Sequence, residues 1–384
     1  MGTRSARAEV VVDLAAIRHN VRALRQWVGD DVAMMTVVKA NGYGHGLVRV
    51  ARAAREAGAD WLGVATLEEA RALRDAGDAG PVLCWLFVPG EDYAGAIARD
   101  IDLTAYSLGE LDEISIAAVG VGRPARLQLK VDTGLSRGGC ALADWPRLVE
   151  AVRAAETAGS VRLTGIWSHF AASDEPGHPA NDAQEQAFHE ALAVAAAAGL
   201  RPETRHLANS AAAVLRPSSH FDLVRCGIAS YGLDPAPGHT PEAVGLVPAM
   251  TARAELVMSK HVPAGAGVSY GHTWTAGSAT TVGLVPAGYG DGVPRHASSV
   301  AEVWAAGRRR PIRGRVCMDQ LVVDLDGDLL PAGEPVVLFG TGRHGEPTAQ
   351  DWAEAVGTIN YEIVTRIGGR FVRRYVDEGE SGWV

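Results

Sequence analysis

A regular alternation of short β-branched runs and alanine-rich segments constrains the first part of this sequence more than any other feature. Each run is followed by a polar or glycine-containing loop and then by a segment of helical period, such as residues 47–57 and 67–76. Eight strands alternating with helices predict an α/β fold, a (β/α)8 TIM-like barrel; an open doubly wound sheet is the alternative. The expected strands are 35–39, 61–65, 82–87, 102–106, 126–131, 164–168, 204–208 and 222–226. In the helix over 67–76 we expect four charged side chains to face outward: Glu68, Glu69, Arg71 and Arg74.

The alternation of strands and helices stops near residue 240, where closely spaced prolines mark a connector. We therefore expect residues 1–244 to form the barrel domain and residues 245–384 to form a mostly β C-terminal domain. A short helix over 349–356, capped by Thr348, is also expected. An early strand over 9–13 is open to pairing with the second domain instead of the barrel. The expected strands of the second domain are 252–259, 280–286, 300–304, 320–325 and 335–339.

Composition and charge exclude several classes of partner. The chain has 384 residues and a net charge of -9 without a run of Lys or Arg, so neither nucleic acid nor an anionic membrane is an expected partner. No run approaches the roughly 20 apolar residues of a membrane-spanning helix, which predicts a cytoplasmic protein with a small-molecule substrate. The scattered cysteines and histidines form no metal-ligand pattern, and the glycine motifs of dinucleotide and nucleotide sites are absent.

Lys39 is the candidate reactive group. It closes a β-branched run and opens a glycine-bracketed loop, so its amine is expected at the mouth of the first barrel strand. An enzyme that uses pyridoxal phosphate needs such a lysine to hold the cofactor as a Schiff base and then to move a proton. A lysine at a strand end is more commonly a surface charge, so the adjacent residues in the sequence must distinguish a surface lysine from a cofactor lysine.

Residues 37–46, Val-Val-Lys-Ala-Asn-Gly-Tyr-Gly-His-Gly, resemble the cofactor-attachment segment of bacterial alanine racemases without a gap. The resemblance covers nearly the whole chain. It implies pyridoxal 5'-phosphate as cofactor, interconversion of L- and D-alanine, supply of D-alanine for peptidoglycan, and a head-to-tail homodimer with shared active sites. The other matching segments are 130–137, 167–170, 206–210, 224–227, 268–271, 288–292, 317–320 and 360–362.

A phosphate site is expected after the last two barrel strands. Asn209 and Ser210 begin a helix, where hydroxyl and backbone N–H groups suit an anion, although a helix cap is the alternative role. Gly227 and Ile228 follow the eighth strand and add backbone donors. The resemblance implies two phenolic donors to the same phosphate, Tyr43 and Tyr361.

The resemblance also implies that Arg225 faces the pyridine nitrogen, where many enzymes with this cofactor use a carboxylate. An arginine keeps its proton, so the ring nitrogen stays unprotonated and return of the proton to Cα is favoured over transamination. His169 is implied as the residue that supports Arg225. Without the resemblance, an ion pair for Arg225 and a hydrogen-bonded core position for His169 are the alternatives.

Racemisation requires two proton carriers on opposite faces of a planar centre, so Lys39 needs a partner. The resemblance implies Tyr270, with the tyrosine serving L-alanine and the lysine serving D-alanine; a buried aromatic residue of the β domain is the alternative. Lys130 matches a lysine that is often carbamylated in the family, where it orients an arginine. The substrate residues implied by the resemblance are Arg137, Met318, Asp319 and the gate residue Tyr289.

Three other functions share part of this pattern. A non-catalytic barrel that binds pyridoxal phosphate has a similar lysine loop, but it has no use for a second domain that carries Tyr270. A racemase for another or a broader range of amino acids keeps the same chemistry. An amino-acid decarboxylase of the same barrel type needs an acidic residue where this chain has Arg225. One departure from the family, Leu135 in place of its usual methionine, conserves volume.

Overall fold

The computed structural model describes residues 7–377. After a first strand, β1 (Ala8–Asp13), eight parallel strands form a barrel in the order β8-β7-β6-β5-β4-β3-β2-β9. Backbone hydrogen bonds from Arg225 to Ala208 and from Asp222 to Arg205 join β9 to β8 and bring the two ends of the sheet together. The barrel prediction is therefore confirmed and the open sheet is wrong. The strands are β2 (Ala33–Val37), β3 (Trp61–Val64), β4 (Val82–Cys84), β5 (Ile101–Ala105), β6 (Ala125–Lys130), β7 (Val161–Trp167), β8 (Thr204–His206) and β9 (Leu223–Cys226).

Helices follow the barrel strands and cover the outside of the sheet. Their buried residues recur at helical spacing, and caps hold their first turns, as in the capping box between Thr66 and Glu69. Within residues 7–377 no helix is long and apolar enough to cross a membrane. The helical segments of this part are α1 (Leu14–Val28), α2 (Lys39–Tyr43), α3 (Leu47–Glu56), α4 (Leu67–Asp75), α5 (Tyr93–Ala98), α6 (Leu108–Val121), α7 (Trp145–Thr157), α8 (Pro179–Ala197) and α9 (Ser210–Leu215).

The second part of the chain is mostly antiparallel sheet. Its largest sheet has the order β16-β15-β18-β10-β1-β19, a second has the order β11-β14-β17, and β12 pairs with β13. Two helices follow, the first of them capped by Thr348 as expected. The elements are β10 (Met250–Glu255), β11 (Met258–Val262), β12 (Gly267–Val268), β13 (Trp274–Thr275), β14 (Thr280–Val285), β15 (Glu302–Ala305), β16 (Arg308–Pro311), β17 (Leu321–Asp324), β18 (Pro335–Phe339), α10 (Ala349–Val356), α11 (Asn360–Arg366) and β19 (Val372–Val376).

Strand β1 belongs to the sheet of the second domain. It pairs antiparallel with β10 and parallel with β19. The sequence leaves this pairing open, and the structure decides it in favour of the second domain. Because β1 is followed directly by α1 and the barrel, the chain starts in one domain, builds the other and returns, so two chain crossings join the domains.

The expected strand over 252–259 is wrong as a single element. The chain forms β10 and β11 there, in two different sheets. The break falls at two adjacent residues: the backbone N–H of Leu256 donates to Glu334 at 2.8 Å, and that of Val257 donates to Leu284 at 2.8 Å. Each amide is thus paired with a different sheet, a choice that depends on distant partners and is not visible in a local apolar pattern.

Candidate active site

The segment that carries Lys39 has an unusual backbone. Strand β2 ends at Val37, two residues earlier than expected, and the next residues turn in the left-handed sense with φ of 52° at Ala40, 54° at Asn41, 61° at Gly42 and 49° at Tyr43. Non-glycine residues rarely adopt this conformation, and it costs free energy that the surroundings must offset. The Asn41 side chain accepts a hydrogen bond from the backbone N–H of Leu47 at 3.0 Å and closes the loop. The loop thus presents the lysine at the barrel mouth.

The amine of Lys39 is half-buried beside barrel groups. Its Nζ lies 5.9 Å from the centroid of the Trp85 ring. Burial lowers the pKa of Lys39, and the positive charge of Arg137 lowers it further, whereas the Glu69 carboxylate raises it. These effects together shift the lysine toward the neutral amine, the form that attacks an aldehyde and accepts a proton.

Glu69 does not face outward as expected for the helix over 67–76. One carboxylate oxygen accepts from the backbone N–H of Ala65 at 2.9 Å and of Thr66 at 3.3 Å, within the capping box of α4. The other oxygen accepts from the backbone N–H of Ala40 at 2.6 Å. The carboxylate therefore ties the start of a helix to the left-handed turn after Lys39. Helical periodicity missed this role because the first turn of a helix faces its own preceding loop.

Arg225 lies buried at the end of β9, and the structure surrounds it with neutral acceptors. Its guanidinium lies 3.0 Å from Nδ1 of His206 and 3.1 Å from Nδ1 of His169. It also donates to the backbone carbonyls of Ser168 at 2.8 Å and Leu207 at 3.0 Å. Burial lowers the pKa of Arg225 to about 9, which still leaves the guanidinium protonated at neutral pH. His206, which the sequence reasoning did not assign to the site, thus shares the support of Arg225 with His169.

The expected phosphate residues converge at one point of the mouth. The Ser210 hydroxyl accepts from the backbone N–H of Gly227 at 2.8 Å. A Cβ on Gly227 would lie 2.5 Å from the phenolic oxygen of Tyr43, so only glycine leaves room there. Ile228 begins the next turn, also buried. Asn209 takes the alternative role of helix cap, because its side chain accepts from the backbone N–H of Ala212.

Helix α11, which was not expected, brings a second phenol to this cradle. The rings of Tyr361 and Tyr43 are 6.2 Å apart, and Tyr43 packs at 4.8 Å against Tyr231. Burial raises the pKa of Tyr361 and of Tyr43, so both phenols keep their protons and remain donors. Two phenols, a hydroxyl and backbone N–H groups, together with the lysine of the same loop as Tyr43, fit a group that carries both a phosphate and an aldehyde.

Lys130 ends β6, and Arg137 lies in the loop that follows this strand, as does Asp132. The Nζ of Lys130 lies 4.5 Å from the centroid of the Trp167 ring. Burial lowers the pKa of Lys130 to about 8, with further lowering by Arg225 and Arg137 and an opposing effect of Asp132. Arg137 is exposed on a loop that Asp132 holds by accepting from two backbone N–H groups.

The expected substrate residues of the second domain form a separate group. The backbone N–H of Tyr289 donates to Cys317 at 3.0 Å, which joins the Tyr289 turn to the loop of Met318 and Asp319. Arg370, a residue that the sequence did not single out, binds the Asp319 carboxylate at 2.6 Å and the Asp291 carboxylate at 2.7 Å. Tyr270 follows Ser269, whose hydroxyl donates to the Arg315 carbonyl at 2.6 Å.

This group is exposed in the single chain. Tyr270 is 68% exposed and Met318 is 54% exposed, and Tyr289 is exposed as well. Trp85, Glu69 and Arg137, which influence Lys39, all belong to the barrel. The structure therefore gathers the expected site residues into two groups, one at the barrel mouth and one on the surface of the second domain.

Comparison with known proteins identifies the family. The sequence patterns described as "Alanine racemase, N-terminal domain" and "Alanine racemase, C-terminal domain" match residues 12–235 and 249–375. The chain belongs to the alanine racemase family. The alanine racemase of Salinispora arenicola (strain CNS-205) is 56% identical over 370 residues, 96% of this chain and 98% of that relative.

Solved structures of alanine racemases share the whole architecture. The enzyme from D-cycloserine producing Streptomyces lavendulae superposes with a TM-score of 0.96 at 53% identity, over 98% of each chain. The enzyme from Bacillus anthracis gives a TM-score of 0.90 at 34% identity, over 99% of this chain and 97% of that one. Membership of the alanine racemase family makes this chain a racemase that depends on pyridoxal phosphate.

Replacement of Glu69 by Gln should loosen the lysine turn without removing the helix cap. A glutamine oxygen can still accept from Ala65 and Thr66, but its NH2 group then faces the N–H of Ala40, donor against donor. We expect the affinity for pyridoxal phosphate to fall about tenfold, on the scale of a lost charged hydrogen bond. Loss of the negative charge should also lower the pKa of Lys39 further.

Only three lysines occur in the chain, Lys39, Lys130 and Lys260, so ¹³C reductive methylation of the cofactor-free protein resolves each amine by NMR. Lys260 is exposed and serves as the internal reference. The Glu69→Ala variant, which loses the cap as well as the bridge, should also lower the melting temperature. An unchanged titration of Lys39 in Glu69→Gln would show that the carboxylate does not act on the amine.

Proposed function

We propose that this racemase interconverts L- and D-alanine by a two-base mechanism, with Lys39 and Tyr270 on opposite faces of the substrate. The observation that carries the proposal is the half-buried Lys39 amine, whose pKa burial and Arg137 lower. D-alanine formed in this way supplies peptidoglycan synthesis, a role that implies a cytoplasmic location.

Each residue of the barrel mouth has a part in this reaction. Pyridoxal phosphate, when bound, makes the α-hydrogen of the amino acid acidic. Lys39 holds the cofactor between turnovers and then moves the proton at Cα on the D side. Tyr43, Ser210, Gly227 and Tyr361 would hold the phosphate, with Asn209 and Ile228 at the helical turns beside it.

Arg225 favours racemisation over side reactions. Its pKa of about 9 means that it donates hydrogen bonds at neutral pH without giving up a proton, and His169 and His206 hold its guanidinium in place. When pyridoxal phosphate is bound, Arg225 would hold its ring nitrogen without protonating it, which would favour return of the proton to Cα. Arg137, whose planar fork suits an oxyanion, is proposed to bind the substrate carboxylate.

The substitution Tyr270→Phe should separate the two directions of proton transfer. We expect exchange of the α-hydrogen of L-alanine with deuterium to fall about a hundredfold or more, the scale of general acid–base catalysis, while exchange of D-alanine falls far less. ¹H NMR in D2O measures both rates on the same enzyme. Tyr289→Phe, which alters the gate residue, should affect both enantiomers alike. Equal losses in Tyr270→Phe would contradict the assignment.

We further propose that two chains form a head-to-tail homodimer in which each barrel mouth receives the exposed group of its partner's second domain. The exposure of Tyr270, Met318 and Tyr289 supports this arrangement, since catalytic and substrate groups work in a water-poor site. The two-fold symmetry of such a dimer would complete both sites at once.

Mixing two inactive variants tests the shared site. In a hybrid of Lys39→Ala and Tyr270→Ala chains, one site lacks both bases and the other has both, so co-expression should restore about a quarter of the activity if chains pair at random. Sedimentation measures the oligomeric state of the same samples. No recovery in a demonstrated hybrid dimer would mean that both bases come from one chain, and a fully active monomer would refute the dimer.

Lys130 is proposed to carry a carbamate that orients Arg137. With a pKa of about 8, roughly a tenth of the Lys130 amine is neutral at pH 7. The neutral amine attacks carbon dioxide, an N–C bond forms and a proton leaves the nitrogen, so that an anion replaces a cation beside two arginines. The buried site, next to Trp167, shields the product from water.

Incubation of the holoenzyme with ¹³C-bicarbonate should give one carbamate resonance in its ¹³C NMR spectrum. The resonance should be absent from Lys130→Ala and present in Lys260→Ala, since Lys260 is exposed on β11. An intact mass that shows an unmodified Lys130 in active enzyme would contradict the proposal.

A further inference from the structure

Asp102 is a fully buried carboxylate on β5, inside the barrel and outside the groups that bind substrate or cofactor. It accepts hydrogen bonds from Arg126 Nε at 2.6 Å, from the Thr164 hydroxyl at 2.5 Å and from Gln128 Nε2 at 3.2 Å. Burial raises the pKa of Asp102, but the charge of Arg126 and the hydrogen bonds from Arg126, Thr164 and Gln128 oppose that effect and favour the carboxylate anion. The carboxylate is therefore an acceptor only, at a fixed point of the barrel interior.

The Asp102 carboxylate determines how the Gln128 amide is oriented. A carboxylate cannot donate, so the NH2 group of Gln128 must face it, and the amide oxygen must face the opposite way. That oxygen lies 2.8 Å from Nε2 of His206. Because a carbonyl oxygen only accepts, Nε2 of His206 must carry the proton.

The protonation state of His206 also matches its contact with Arg225. Burial, with the charge of Arg225, lowers the pKa of His206 well below its usual range, so the ring is neutral and holds one proton. With that proton on Nε2, Nδ1 is an acceptor, and it lies 3.0 Å from Nη1 of Arg225, which can only donate. The Trp167 ring stacks on His206 at 5.7 Å with an angle of 7° and keeps the imidazole in plane. All donors in this series point from Arg225 toward Asp102.

We propose that Gln128 and Asp102 are positioning residues that select the Nε2-protonated tautomer of His206 and thereby hold the Arg225 guanidinium in its catalytic position. If His206 took the other tautomer, its Nδ1–H would face a guanidinium N–H, and Arg225 would move away from two neighbouring acceptors, the carbonyls of Ser168 and Leu207. The inference rests on the proposed function only in the part that Arg225 plays there.

Replacement of Gln128 by Leu breaks the chain of hydrogen bonds between His206 and Asp102. The variant removes both hydrogen bonds at similar volume, so the preference of His206 for the Nε2–H tautomer then depends on Arg225 alone and should weaken until both tautomers are populated. We expect kcat for alanine racemisation to fall about tenfold, on the scale of one buried hydrogen bond. A matched control is Thr104→Val, an isosteric change on β5, the neighbouring strand that also carries Asp102, at a buried hydroxyl with no hydrogen-bond partner among residues 7–377.

The decisive readout is the ¹⁵N-histidine spectrum of the holoenzyme, in which protonated and unprotonated ring nitrogens have separate shifts. Wild type and Thr104→Val should show His206 protonated at Nε2 alone, and Gln128→Leu should show both tautomers. Asp102→Asn keeps the side-chain shape and covers the case in which Gln128→Leu fails to fold; it should also mix the tautomers, because an amide at 102 allows Gln128 to reverse. A single Nε2–H tautomer in the folded variants overturns the inference. Failure of wild type to racemise alanine would instead overturn the proposed function, since the tautomer does not depend on turnover.

Discussion

The buried guanidinium of Arg225 shifts the pKa of the titratable groups that surround it in the barrel. Its side-chain and backbone partners are two histidines and two carbonyl groups, which satisfy its hydrogen bonds without cancelling its charge. That charge adds to the effect of burial in lowering the pKa of Lys130 and of His169. A carboxylate in the same place would raise both. The lowered pKa of Lys130 and the neutral histidines that accept hydrogen bonds from an arginine are thus consequences of burial and of one buried cation.

The strained turn after Lys39 shows how the fold supplies what the local sequence disfavours. Three non-glycine residues with positive φ follow the lysine, and each conformation is costly by itself. The Glu69 carboxylate, the Asn41 side chain and the packing of Tyr43 against Tyr231 offset this cost. These contacts together hold the lysine at a defined point of the barrel mouth.

The division of the site between two domains follows from the course of the chain. Strand β1 lies between β10 and β19 in the sheet of the second domain, so that domain is anchored at both ends of the sequence. Its loops carry Tyr270 and Met318 on an exposed surface, while helix α11 returns Tyr361 to the barrel of the same chain. The second domain therefore places Tyr361 beside Tyr43 of its own chain, and it exposes Tyr270 and Met318 on another surface.

The sequence by itself determined the alternating strands and helices and the capped helix after Thr348, and it singled out Lys39 as the candidate reactive group, because each depends on periodicity or on adjacent residues. The residues expected around the phosphate also meet in the structure, since parallel strands end at the same rim of a barrel. Only the tertiary structure decided the pairing of β1, the break between β10 and β11, and the inward turn of Glu69. It alone joined Asp102 and Gln128 to His206. These features rest on hydrogen bonds between residues far apart in sequence, and a local pattern contains no information about which distant partner will satisfy a buried polar group.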